Sequence, residues 1–162
     1  MPKFRAFLKY WLPPLIWMAV IFSASADSKS AEHSSRYFEP LLRWLFPRMS
    51  PDLVGQIHHD FRKCCHLAEY AVLALLLWRA IRRTIGKNPR LAAVPERGAS
   101  GWKWVEAGLA LAVVFLYGAS DEIHQVFIPN RTAQISDVFV DTLGGAIGLL
   151  ALWVVGRWRK LW

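Results

Sequence analysis

The chain reads as all-α: a polytopic membrane protein, a four-transmembrane-helix bundle with an extra amphipathic helical segment in its first outward connection. Three observations predict this. The 162 residues are 54% hydrophobic, and the apolar ones gather into long blocks, the signature of membrane-spanning helices and not of half-buried strands. Basic residues are unequally shared between the two sides of such a bundle. Thirteen Lys and Arg fall in the N-terminal tail, the second connection and the C-terminal tail, against seven in the other two connections. Short loops rich in Lys and Arg stay in the cytoplasm, so both termini are expected there. Finally, Trp11, Trp17, Trp78, Trp102, Trp104, Trp153 and Trp158 mostly lie near the ends of the apolar blocks, where indole rings form an interfacial belt.

One domain, residues 1–162, is expected, with spans at about residues 8–24, 66–82, 103–119 and 138–156. The first helix carries Pro13 and Pro14, which bend its early turns. A basic start, an apolar run and Ala24-Ser25-Ala26 also fit a cleavable leader, in which case three spans remain and the polar loop keeps its side. After the first helix comes a break of small polar residues. From Ala31 to Phe46, Tyr37, Phe38, Leu41, Leu42, Leu45 and Phe46 recur at helical spacing against Arg36, Glu39 and Arg43. That segment either lies in the outer interface or packs over the bundle. Pro51 to Cys65 reads as a helix running unbroken into the second span, since no breaker precedes Trp78. Residues 86–101 form a basic linker rich in Gly and Pro. The adjacent Cys64 and Cys65 are too close to bond readily to each other, and read as small residues at a helix start.

The formal charge of +8 is explained by orientation, so no nucleic-acid partner is expected. Membrane lipids are.

Chemistry concentrates where the third span ends and the fourth begins. Asp121 and Gln125 are four apart and share a helix face, while Glu122 is expected to point elsewhere. Pro129 ends that helix, and Asn130-Arg131 makes a turn. Asp137 and Asp141 are four apart at the start of the last helix. Asp137 could serve as a cap; Asp141 lies deeper. Their face continues through Gly144 and Gly148, a spacing that lets another helix approach closely, within the chain or in a homo-oligomer. On the second span, Lys63, His66 and Tyr70 share one face, and Glu69 lies beside them. Lys63 and Tyr70 fit interfacial anchoring; a carboxylate one turn into the membrane needs a partner.

Three chemistries fit a site gathered from Lys63, His66, Glu69, Tyr70, Asp121, Glu122, Gln125, Arg131, Asp137 and Asp141. It is an ion-pair network, a binding site for a polar head group with Lys63 and Arg131 on an anion, or a metal or acid–base centre using His66, His124 and carboxylates. His58-His59-Asp60 also has metal-like residues. No Ser-His-Asp spacing, phosphate-cradling glycine loop or CxxC is present, no cofactor is expected, and no residue is assigned as a metal ligand or catalyst.

Lys63-x-x-His66-x-x-x-Tyr70, Asp121-Glu122-x-x-Gln125-x-x-x-Pro129-x-Arg131 and Asp137-x-x-x-Asp141-x-x-Gly144-x-x-x-Gly148 together resemble the VanZ-like family of bacterial membrane proteins. Trp17 and Phe22-Ser23-x-Ser25 extend the resemblance, which covers about Trp11 to Leu152. Members often carry Asn at the position of Asp141. The resemblance implies a multi-pass protein of the bacterial cytoplasmic membrane and cell envelope, in a family whose namesake is associated with resistance to the glycopeptide teicoplanin, and it assigns no reaction. The expected function is to bind or shield a lipid or cell-wall precursor head group at the outer face. A membrane-embedded enzyme acting on a lipid-linked substrate is the alternative.

Overall fold

The computed structural model describes residues 2–26, 30–85, 101–128 and 134–162. Every regular element in them is a helix: α1 (Pro2–Ser25), α2 (Ser30–Leu45), α3 (Pro51–Ile85), α4 (Trp104–Gln125) and α5 (Ile135–Trp158). All but α2 are long and apolar enough to cross a membrane. Pro13 and Pro14 sit inside α1. The helices outrun the apolar blocks, because backbone hydrogen bonding does not stop where hydropathy changes. The unbroken helix expected through Pro51 and Trp78 is α3, whose 35 residues rise about 52 Å. Against a hydrocarbon core of about 30 Å, its first turns project beyond the membrane.

The bundle is built around α3, which packs chiefly on α5 and also on α4 and α1. Tyr70, Leu73, Ala74 and Leu77 from α3 meet Ala107, Ala110 and Val114 from α4, Leu149 from α5 and Ile21 from α1. Their spacings of three and four put each set on one helical stripe. Close approach of α3 and α5 depends on two glycines. A Cβ at Gly144 would run into the Leu67 backbone, and one at Gly148 would lie 2.9 Å from the Ala71 carbonyl oxygen. The small-residue stripe is thus filled by α3 of the same chain.

α1 is tied on by side chains donating to backbone carbonyls. Trp17 Nε1 donates to Glu69 O at 2.9 Å, and the Tyr117 hydroxyl donates to Met18 O at 2.5 Å. α2 rests on the projecting turns of α3 through Phe38, whose ring stacks on Phe61 at 4.5 Å and tilts against His58 at 5.4 Å. Tyr37, Leu41, Trp44 and Leu45 stay exposed, the apolar face that an interfacial helix offers to lipid.

The two ends of the bundle differ in chemistry. At one end Trp78 stacks on Trp102, Trp162 packs against both rings at an angle, and Trp104 and Trp153 lie beside them. Here the chain departs from the simple belt: five indoles form one continuous cluster. Trp17 leaves the belt too, held mid-bundle by its bond to Glu69. The opposite end carries the polar residues.

Candidate functional site

The polar end is assembled from the middle of α3, the end of α4 and the start of α5. Asp121, Glu122 and Gln125 lie on adjoining positions of α4, three and four apart, and all are buried. The Gln125 amide gathers them: Nε2 donates to Asp121 Oδ2 at 3.2 Å and to Glu122 Oε1 at 3.2 Å. It also reaches across to Ser25 Oγ at 3.0 Å, closing α1 onto α4. The expectation that Glu122 points away from Asp121 and Gln125 is therefore corrected. Positions three apart on a helix are neighbours, and the amide hydrogens reach both acids. The other Glu122 oxygen, Oε2, accepts the backbone N–H of Gln134 at 2.9 Å, so Glu122 also pins the start of α5.

Behind this, Asp141 is 3% exposed. Its Oδ1 lies 3.6 Å from His66 Nδ1, long for a hydrogen bond but within ion-pair reach. Gly118 leaves room for it: a Cβ there would sit 3.5 Å from Asp141 Oδ2 and 3.7 Å from the Tyr70 ring. Two carboxylate oxygens, Asp121 Oδ1 and Asp141 Oδ1, are buried without a hydrogen-bond partner among the described residues. Leaving such groups unmet costs folding free energy, so each needs an explanation in structure or function.

These bonds leave space between the helices. They surround an open cleft of about 180 Å³, lined by His59, Arg62, Lys63, His66, Glu122, Gln125, Gln134, Asp137, Val140 and Asp141. One wall, from α3, carries Arg62 and Lys63; the facing wall, from α4 and α5, carries Glu122, Asp137 and Asp141. A guest with an anionic group and hydrogen-bond donors matches such a split.

Of the residues expected from sequence, Lys63, His66, Glu122, Gln125, Asp137 and Asp141 meet at this cleft. Tyr70 and Asp121 are buried beneath or beside it. Glu69 is half-buried outside its walls, and Arg131 lies outside the described residues. Asp137 sits in the first turn of α5 but does not cap it, since Gln134 holds that position without a side-chain bond. His124, expected beside His66, is turned away: its ring stacks on Phe22 at 4.3 Å, because one residue along a helix is a third of a turn. His58 is likewise buried against Phe38. Among the described residues, no three of His, Cys, Asp and Glu converge closely enough to hold a metal ion.

Sequence reasoning missed Arg62 and Gln134, and it noted His59 and Ser25 without placing them at this site. His59 and Arg62 had a usable signal, being seven and four residues before His66 on a helix already read as continuous. Ser25 had only its place in the Phe22-Ser23-x-Ser25 pattern, and Gln134 had no signal, because their roles arise only when separate helices dock.

The VanZ/LLP1 family model matches residues 10–156, most of the chain. Neither a curated protein nor a solved structure matches it.

Proposed function

The chain belongs to the VanZ/LLP1 family, and from that premise we propose that it binds the polar head group of an envelope lipid in the cleft at its polar end. The observation that carries this reading is the open space. Lys63 and Arg62 of α3 stand on one side of an open cleft and Glu122, Asp137 and Asp141 of α4 and α5 on the other, with space between them for a guest. In this reading Lys63 and Arg62 hold the anionic part of the head group, and Asp137, Asp141 and Glu122 take its hydrogen-bond donors. At about 180 Å³, below the roughly 300–1,000 Å³ of ordinary ligand pockets, the cleft suits a phosphate with a small substituent and not a whole cell-wall disaccharide. A lipid-linked cell-wall precursor would be held by its phosphate region.

The cleft is assigned to the outer face of the bacterial cytoplasmic membrane, with both termini inside, from the excess of basic residues at the opposite end. The teicoplanin resistance implied by the family would then act through head groups displayed at that face. Cells expressing Lys63→Ala or Arg131→Ala are expected to lose glycopeptide tolerance while the protein accumulates normally. Full tolerance in both variants counts against head-group binding.

A second reading rests on the His66–Asp141 pair. An imidazole at the cleft with a buried carboxylate 3.6 Å behind it is arranged to hold and pass a proton. Turnover of a lipid-linked substrate, abolished by His66→Ala but not by Lys63→Ala, would favour an enzyme.

A further inference from the structure

A second concavity adjoins the polar cleft. It is an apolar groove of about 310 Å³ between α4 and α5, bordered by Phe115, Ile123, Val126 and Phe139. Glu122 and Gln134 line both spaces. They are bonded to each other, Gln134 N–H to Glu122 Oε2 at 2.9 Å, while Glu122 Oε1 faces Gln125 on the cleft side. One carboxylate thus forms the partition between a polar cleft and an apolar groove.

Resting on the head-group reading above, we propose that the ligand is a single amphiphile occupying both spaces, its phosphate-bearing head in the cleft and its hydrocarbon chain in the α4–α5 groove. Four observations support this occupant. Apart from Val126 and Gln134, the groove is lined from helices long and apolar enough to cross a membrane, where hydrocarbon would be the surrounding medium. Its apolar border is open to that medium: Ile123 is 64% exposed, Val126 63% and Phe139 64%. From Phe115 to Val126 a helix rises about 16 Å, roughly half of a 30 Å hydrocarbon core, so the groove matches a chain from one leaflet. And the groove meets the cleft at Glu122, where a head group would join its tail. The ligand therefore enters sideways from the bilayer between α4 and α5, past the Glu122–Gln134 bond. Specificity is divided: charge selects the head, and the groove requires a chain.

The test uses purified full-length protein and two probes. O-phosphoethanolamine carries the head alone. An oleoyl lysophosphatidylethanolamine with a diazirine near its chain end carries head and tail. Photolysis is expected to label the far end of the groove, around Phe115, in preference to Leu116 and Leu150 on other exposed faces. Val126→Trp, which crowds the groove from an exposed position, is expected to weaken binding of the acylated probe roughly tenfold or more and to leave phosphoethanolamine binding unchanged. Lys63→Ala is expected to weaken both. Leu116→Trp is the control for an added indole, with no effect on either. Labelling spread evenly over the surface, or unchanged acylated-probe affinity in Val126→Trp, overturns the groove while a response of phosphoethanolamine to Lys63→Ala preserves the head-group reading. If phosphoethanolamine fails to bind, or binds Lys63→Ala as well as wild type, the head-group reading falls and takes this inference with it.

Discussion

At the tryptophan end one buried carboxylate, Glu106, meets one cation, Arg82, at 3.5 Å. The Arg82 guanidinium lies 5.0 Å over the Trp78 ring, and Trp102 and Trp162 close around it. At the polar end three buried carboxylates, Asp121, Glu122 and Asp141, share one glutamine amide and one half-exposed histidine. There, two acid oxygens lack a hydrogen-bond partner among the described residues, beside an open cleft. Both ends put charge into a low-dielectric setting, where a charge must be matched. The first matches it internally and seals it with aromatic rings. The second leaves the matching unfinished and leaves space. Stability should therefore depend on the internal ion pair at the tryptophan end, where the unmet groups among the described residues are the neutral Trp78 and Trp102 indole nitrogens, and binding on the unmet acid oxygens at the polar end.

The hardest way to break this comparison is to remove the packing that both ends share. Gly144→Val drives a side chain into the Leu67 backbone and should cost about 3 kcal/mol or more, lowering the thermal midpoint of detergent-solubilised protein and abolishing binding with it. Gly108→Val, where a Cβ meets nothing within 4 Å, should leave the midpoint nearly unchanged.

Next come the two kinds of carboxylate. Glu106→Ala leaves Arg82 without its acid and should destabilise by about 2 kcal/mol, less than a fully buried pair because Arg82 keeps some solvent. Affinity for a phosphate-bearing head group should hardly move. Asp141→Asn should do the reverse. Asparagine keeps the shape and removes only the charge facing the part-exposed His66 at 3.6 Å, so the thermal midpoint should move less than in Glu106→Ala, while head-group affinity falls roughly tenfold. If both variants lose stability alike, the polar end is a structural network like the other and the contrast disappears. Trp17→Phe, which deletes one bond to the Glu69 carbonyl, should cost only about 1 kcal/mol.

Much of the polar end was legible because it is written in helical periods. Asp121 with Gln125, Asp137 with Asp141, and Gly144 with Gly148 are each four apart, and each pair behaves as one face. The depth of Asp141 could be read from its place in an apolar run. What depends on how helices dock could not be read. Ser25 and Gln125 are a hundred positions apart, and nothing local marks them as partners. Nor does a tryptophan reveal whether it ends in a belt facing lipid or in a cluster with Trp102 and Trp162; sequence places it near a helix end and says nothing of which ends meet. His124 shows the limit from the other side, for its spacing suits the site yet its ring turns to Phe22.

We propose that the cleft between Lys63 and Asp141 receives a phosphate-bearing lipid head. Its most direct test is the lipid retained by the protein after mild detergent extraction, counted by native mass spectrometry in wild type and in Lys63→Glu. The exposed Lys63 side chain lets that substitution reverse the charge without disturbing packing. One phosphate-bearing lipid per chain in wild type, lost in Lys63→Glu at equal thermal stability, is the predicted result. Equal lipid retention in the two proteins would contradict it.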